Sequence, residues 1–98
     1  MLFFCEYTWH PGTTMEQVRA RHDQQFRAEA LRPELWRGWY DFAGSGQGFL
    51  LIETDDAEAL HGIFHPYADL MRFVVRPLKV NDIPASLGRI AERVRQAV

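Results

Sequence analysis

His22 is the side chain of this 98-residue sequence that its neighbours best equip for acid–base chemistry. It falls in register with Met15, Val18, Phe26 and Ala30, whose spacing by threes and fours makes one apolar stripe of a helix. An ionisable ring on such a stripe must find a hydrogen-bond partner in the core or line a cavity. The first case makes His22 a structural histidine. In the second, an imidazole with an ordinary pKa near 6.5 serves as a general acid or base or as a hydrogen-bond partner of a substrate.

Glu6 and Glu53 interrupt otherwise apolar segments, where a carboxylate is tolerated when it is paired or its pKa rises. Arg37, Arg72 and Arg76 interrupt such segments too, and Arg72 or Arg76 can come opposite Glu6, so ion pairing competes with a catalytic role. Glu6 is the carboxylate taken with His22 as a candidate pair. His61 and His65 stand four apart, the separation at which two histidines on one helix face hold zinc. Pro66 frays the turn that would hold His65, no third ligand is evident, and no metal or other cofactor is assigned. Cys5, the single cysteine, excludes an intrachain disulfide and a CxxC pair, and its apolar surroundings make it a buried hydrophobe.

The elements that must position these groups follow from patterning. Leu2 to Trp9 reads as a strand, ended by the turn signal His10-Pro11-Gly12. Thr13-x-x-Glu16 has the form of a capping box and opens a helix expected over Thr14 to Leu31, stopped before Pro33. Leu35 to Phe42 and Phe49 to Thr54 read as strands joined across Ala43-Gly-Ser-Gly-Gln-Gly48. That glycine run is not a phosphate loop, because a strand follows it rather than a helix N-terminus. Asp55-x-x-Glu58 starts a short helix carrying Leu60, Ile63 and Phe64, ending near Phe64. Leu70 to Val80 reads as a fourth strand, with Pro77 marking a sheet edge, and after a link at Asn81 to Pro84 an amphipathic helix spans Ala85 to Val98.

The order βαββαβ, then a helix, is the α+β, ferredoxin-like arrangement: a four-stranded antiparallel sheet with both crossover helices on one face. Residues 1–80 form that domain, and residues 81–98 add a linker and a C-terminal helix to it. One domain is all that this length holds. Strands apolar on both faces need a cover for the second face, which a second copy supplies most economically and the C-terminal helix rivals. A composition 47% hydrophobic and 24% charged excludes disorder, and a net charge of −2 without a basic run argues against nucleic acid. The N-terminus lacks the basic start of a signal peptide and no apolar run is long enough to span a membrane, so a cytoplasmic chain is expected.

Trp39-Tyr-Asp, the glycine turn, Gly48-Phe with Glu53-Thr-Asp-Asp56-x3-Leu60, and Asp69-Leu70-x2-Phe73-x-Val75-x-Pro77-Leu78 resemble the pattern of an uncharacterised bacterial family of small proteins in the dimeric α/β-barrel superfamily. The resemblance covers about residues 1–80 and implies a homodimer whose sheets face each other, each subunit keeping a pocket between its sheet and helices. Superfamily relatives include cofactor-independent monooxygenases, muconolactone isomerases and haem-degrading enzymes. The reading that follows is a pocket for a small hydrophobic, aromatic metabolite, lined by Trp9, Phe26, Trp39, Phe64 and Tyr67, with monooxygenase-, isomerase- or cyclase-like chemistry. A non-catalytic dimeric module for a ligand or a protein partner is the alternative. The haem-degrading relatives imply a further pairing, His61 or His65 as axial ligand with Trp36 or Trp39. Phe64 and Tyr67 stand where the family pattern favours tryptophan.

Overall fold

The computed structural model describes residues 1–44 and 46–97. Four antiparallel strands, β1 (Leu2–Trp9), β2 (Trp36–Phe42), β3 (Gln47–Glu53) and β4 (Met71–Leu78), lie in the order β2-β3-β1-β4. Helices α1 (Met15–Arg27) and α2 (Ala57–Phe64) connect them, short 3-10 turns occupy Pro33–Leu35 and His65–Tyr67, and α3 (Ile83–Gln96) follows β4. The expected ferredoxin-like order is therefore present, with β1 central and Pro77 on an edge strand.

Strand alternation assigns the two faces. Cys5 and Tyr7 are buried, and β1 pairs them with Leu50 and Gly48 of β3 and with Val75 and Phe73 of β4. This face, closed by Val18 of α1 and by Leu60, Ile63 and Phe64 of α2, is the core. The register puts Phe4, Glu6, Phe49, Leu51, Tyr40 and Val74 on the opposite face. There the Phe49 ring stacks on Phe4 at 4.8 Å and on Tyr40 at 5.0 Å, so an aromatic patch lies on the side away from α1 and α2.

Helix boundaries differ from expectation for identifiable reasons, that of α3 among them: Asp82 accepts from the Ala85 N–H, so this helix opens at Ile83 rather than Ala85. The α1 capping box is one residue later: Thr14 accepts from the Gln17 N–H and Gln17 returns a bond to the Thr14 N–H. Thr13 is otherwise engaged, its hydroxyl donating to the Leu70 carbonyl at 2.7 Å and fixing the β1–α1 turn to the start of β4. At its other end α1 stops at Arg27 rather than Leu31. The N–H groups of Glu29 and Ala30 bond back to the Phe26 and Gln25 carbonyls, with Glu29 at φ +56°, which is a Schellman motif. α2 begins one residue later than expected, capped by Asp56.

β2 carries a bulge. Trp36 pairs with Ile52 and Gly38 with Leu51, leaving Arg37 as the extra residue. Trp36 and Trp39 are three apart and on a regular strand would face opposite sides. The bulge turns both toward the core face, where their rings meet edge to face at 5.5 Å.

Candidate functional site

Between α1 and the sheet lies a cavity of about 550 Å³. Its floor is Tyr7 and Leu50 from the central strands, its far wall Phe64, Tyr67 and Phe73, and its near wall Trp36 and Trp39. Exposed Met15, Arg19, Asp41 and Phe42 mark its mouth, beside Gly44 and Gly46 of the β2–β3 turn. Both glycines have positive φ, +74° and +62°, and Gly46 packs against Trp9, where a side chain would be strained.

His22 lines this cavity from α1. Its Nδ1 lies 2.7 Å from the Tyr67 hydroxyl, and its ring meets the edge of Trp39 at 5.6 Å. Tyr67 is only 4% exposed, and burial pushes its phenol up to about 12, so the hydroxyl stays protonated. Burial also lowers the His22 pKa below 6.5, outweighing the nearby Asp23 carboxylate, so the ring is neutral at pH 7. Trp39 donates through Nε1 to the Tyr7 hydroxyl at 3.3 Å, and Trp36 donates to the Leu31 carbonyl at 2.8 Å. The aromatic wall is thus held by its own polar atoms.

The Tyr67 segment is tied to α1 a second time. Arg21 makes a two-pronged bond to Asp69, at 2.7 and 2.9 Å, and also donates to the Pro66 carbonyl. The guanidinium holds the Asp69 carboxyl below its usual range. The pairing fixes the turn that presents the phenol to His22.

Of the residues expected at a pocket, Trp9, Trp39, Phe64 and Tyr67 line the cavity with His22. Phe26 does not. It is 72% exposed, because the Schellman turn ends α1 just beyond it and folds the chain back so that Leu31 lines the cavity instead. Glu6 is not near His22 either, since its side of β1 is the face opposite Tyr7. Across β4 its register partner is Val74, with Arg72 and Arg76 at diagonal positions opposite Thr8 and Phe4. Glu53 pairs not with an arginine but with the Met1 ammonium at 3.2 Å. The candidate His22–carboxylate pair is therefore replaced by a His22–phenol pair.

His61 and His65 stack at 4.7 Å in a separate groove beside β4, while Trp36 and Trp39 belong to the His22 cavity, so the fold does not assemble the haem pairing. Among the described residues no third histidine, cysteine, aspartate or glutamate joins the pair in a metal-binding group. Cys5 is fully buried, and burial alone raises its thiol to about 12. No described helix is long and apolar enough to cross a membrane.

Sequence reasoning did not single out Tyr7, although its alternation with Cys5 and Trp9 places it on the core face. Nor did it place both Trp36 and Trp39 at the cavity. Gly38, an isolated glycine inside a strand pattern, was the available signal for the bulge.

The sheet order, with both crossover helices on one face, defines an α+β protein of the ferredoxin-like class. The chain belongs to the family described as "Domain of unknown function (DUF3303)", which matches residues 1–83. A crystal structure of muconolactone isomerase is similar in fold, with a TM-score of 0.58 and 23% identity, over 83% of this chain and 91% of that one. No curated protein matches the sequence.

Proposed function

We propose that this protein binds a small, largely apolar, aromatic or unsaturated metabolite in the helix–sheet cavity and moves a proton on it through His22. The observation that carries the reading is one histidine, neutral at pH 7, lining an aromatic-walled cavity with Nδ1 held by a buried phenol. The volume of about 550 Å³ lies within the range of small-molecule sites. The likeness in fold to muconolactone isomerase supports an isomerase-like reaction.

The chemistry needs no cofactor. When Nδ1–H donates to the Tyr67 oxygen, Nε2 carries a lone pair and accepts a proton from a carbon next to a carbonyl, leaving an enolate. The imidazolium then returns the proton at a second carbon and the double bond shifts. When the phenol donates to Nδ1 instead, Nε2 carries the hydrogen and can bond to a ligand oxygen. Self-association through the aromatic patch of Phe4, Tyr40 and Phe49 accompanies this reading, since rings stacked on an open sheet face favour a second copy.

The test screens unsaturated cyclic and aromatic compounds by quenching of the Trp36 and Trp39 fluorescence. Binders are then incubated in deuterium oxide. Exchange of label into a bound compound by the wild type but not by His22→Ala is the expected result. Binding without exchange by either form would establish a ligand-binding module instead, and absence of any binder would remove the pocket reading.

A further inference from the structure

Among the described residues, α3 presents an apolar stripe that no other element covers. Ile83, Leu87, Ile90 and Val94 recur at intervals of four, three and four along one side of this 14-residue helix and are 69%, 58%, 45% and 62% exposed. None of its residues is buried. An isolated helix of this length is marginal in water, and Gly88 within it weakens it further. Nor does the helix fold back on its own domain. The molecule is 61 Å long with a radius of gyration of 18.2 Å, against about 13 Å for a compact domain of this size.

We propose that α3 is an arm that lies against the body of a second copy of this chain. Charge selects that occupant. α3 carries Arg89, Arg93 and Arg95 against Glu92 alone, whereas the residues before it carry twelve acidic side chains against eight basic ones. Two α3 helices side by side would oppose their arginines, so the arm seeks the body rather than the other arm. The receiving surface is the corner where Glu53, Asp55, Asp56 and Glu58 crowd at the end of β3 and the start of α2. Leu2 and Leu51 of the uncovered face lie beside it. Among the described residues, the Met1 ammonium is the cation paired with that corner, through Glu53 and Asp55. Apolar side chains next to a carboxylate cluster match an apolar stripe flanked by arginines, and in a two-fold pair the contact forms twice.

Sedimentation and hydrogen exchange of the full chain test this. The wild type should be a dimer whose α3 amides are protected at high protein concentration and lose protection on dilution. Leu87→Glu with Ile90→Glu, both at exposed positions, should raise the dissociation constant at least about tenfold and abolish that protection. Arg93→Glu with Arg95→Glu should weaken the dimer as well, and mixing with an Asp55→Arg, Asp56→Arg chain should restore it. Three results would overturn the proposal: α3 protection independent of concentration, a dimer indifferent to both variants, or a monomer whose α3 is protected only on phosphatidylglycerol vesicles. The arm and the cavity are separable, because none of these substitutions touches a cavity residue.

Discussion

Tyr67→Phe isolates the bond through which the fold orients His22. The substitution keeps the ring and its edge contact with Phe73 at 6.5 Å, and removes only the hydroxyl 2.7 Å from Nδ1. A neutral hydrogen bond contributes about 0.5–1.5 kcal/mol net, and a buried partner left without one costs about 1–3 kcal/mol. His22 lines a cavity with room for water, so Nδ1 can be resolvated and the lower range applies. The expected loss is about 1 kcal/mol, or about 4–8 °C in Tm for a domain of this size. Thermal unfolding measures it, and nitrogen-15 NMR of the imidazole reads the second consequence, a change in the balance of Nδ1–H and Nε2–H tautomers. Catalysed exchange should fall with the tautomer shift while ligand binding persists. A loss above about 3 kcal/mol would make His22 a core element rather than a cavity group. Unchanged tautomers with unchanged Tm would show that the bond does not form in solution. Either result refutes the reasoning.

Stability should depend on pH through the same ring. Because burial lowers the His22 pKa, the unfolded chain binds the proton more readily, so stability falls as pH drops from 6.5 toward the folded value. His22→Asn should flatten that slope in urea titrations at several pH values. Glu29→Gly should raise stability by about 1 kcal/mol, since glycine takes the left-handed position at φ +56° without cost; chemical denaturation checks it. Gly48→Ala should cost about 3 kcal/mol or more, because the added carbon collides with the Tyr40 carbonyl and the Tyr7 hydroxyl; circular dichroism on heating reads the loss. The Cys5 thiol should react with an aromatic disulfide reagent only at the rate of unfolding, and fast native-state labelling would contradict its burial.

Period-two and period-3.6 patterns made the strands and the crossover helices legible because each turns one face toward the core, and α3 legible by its stripe although none of its residues is buried. The cavity was legible only where those patterns continued undisturbed. His22 and Val18 followed the α1 stripe, but Phe26 did not, since the Schellman turn at Ala28-Glu29-Ala30 places a glutamate where glycine would have announced the stop. Glu6 looked like a partner for His22 because strand alternation was not carried through: one residue from Tyr7 means the other side of the sheet. The His22–Tyr67 bond spans 45 residues and depends on how the Arg21 clamp seats a short turn, which no local pattern encodes.

The strand order has a consequence in time. β1 is synthesised before the other three strands, yet both its neighbours come late: β3 begins at Gln47 and β4 ends at Leu78. Until β3 is made Cys5 and Tyr7 have nothing to pair with, and the nascent segment LFFCEYTW is an exposed apolar strand. Pairings of such sequence separation make folding slow. Three strands, β2, β3 and β1, can pair once Glu53 has emerged, and emergence of β4 completes the sheet by covering the open edge of β1 and setting Phe73 and Met71 beside Tyr7. Delaying the exit of β4 from the ribosome should lengthen the life of an aggregation-prone intermediate in which β1 keeps one edge open.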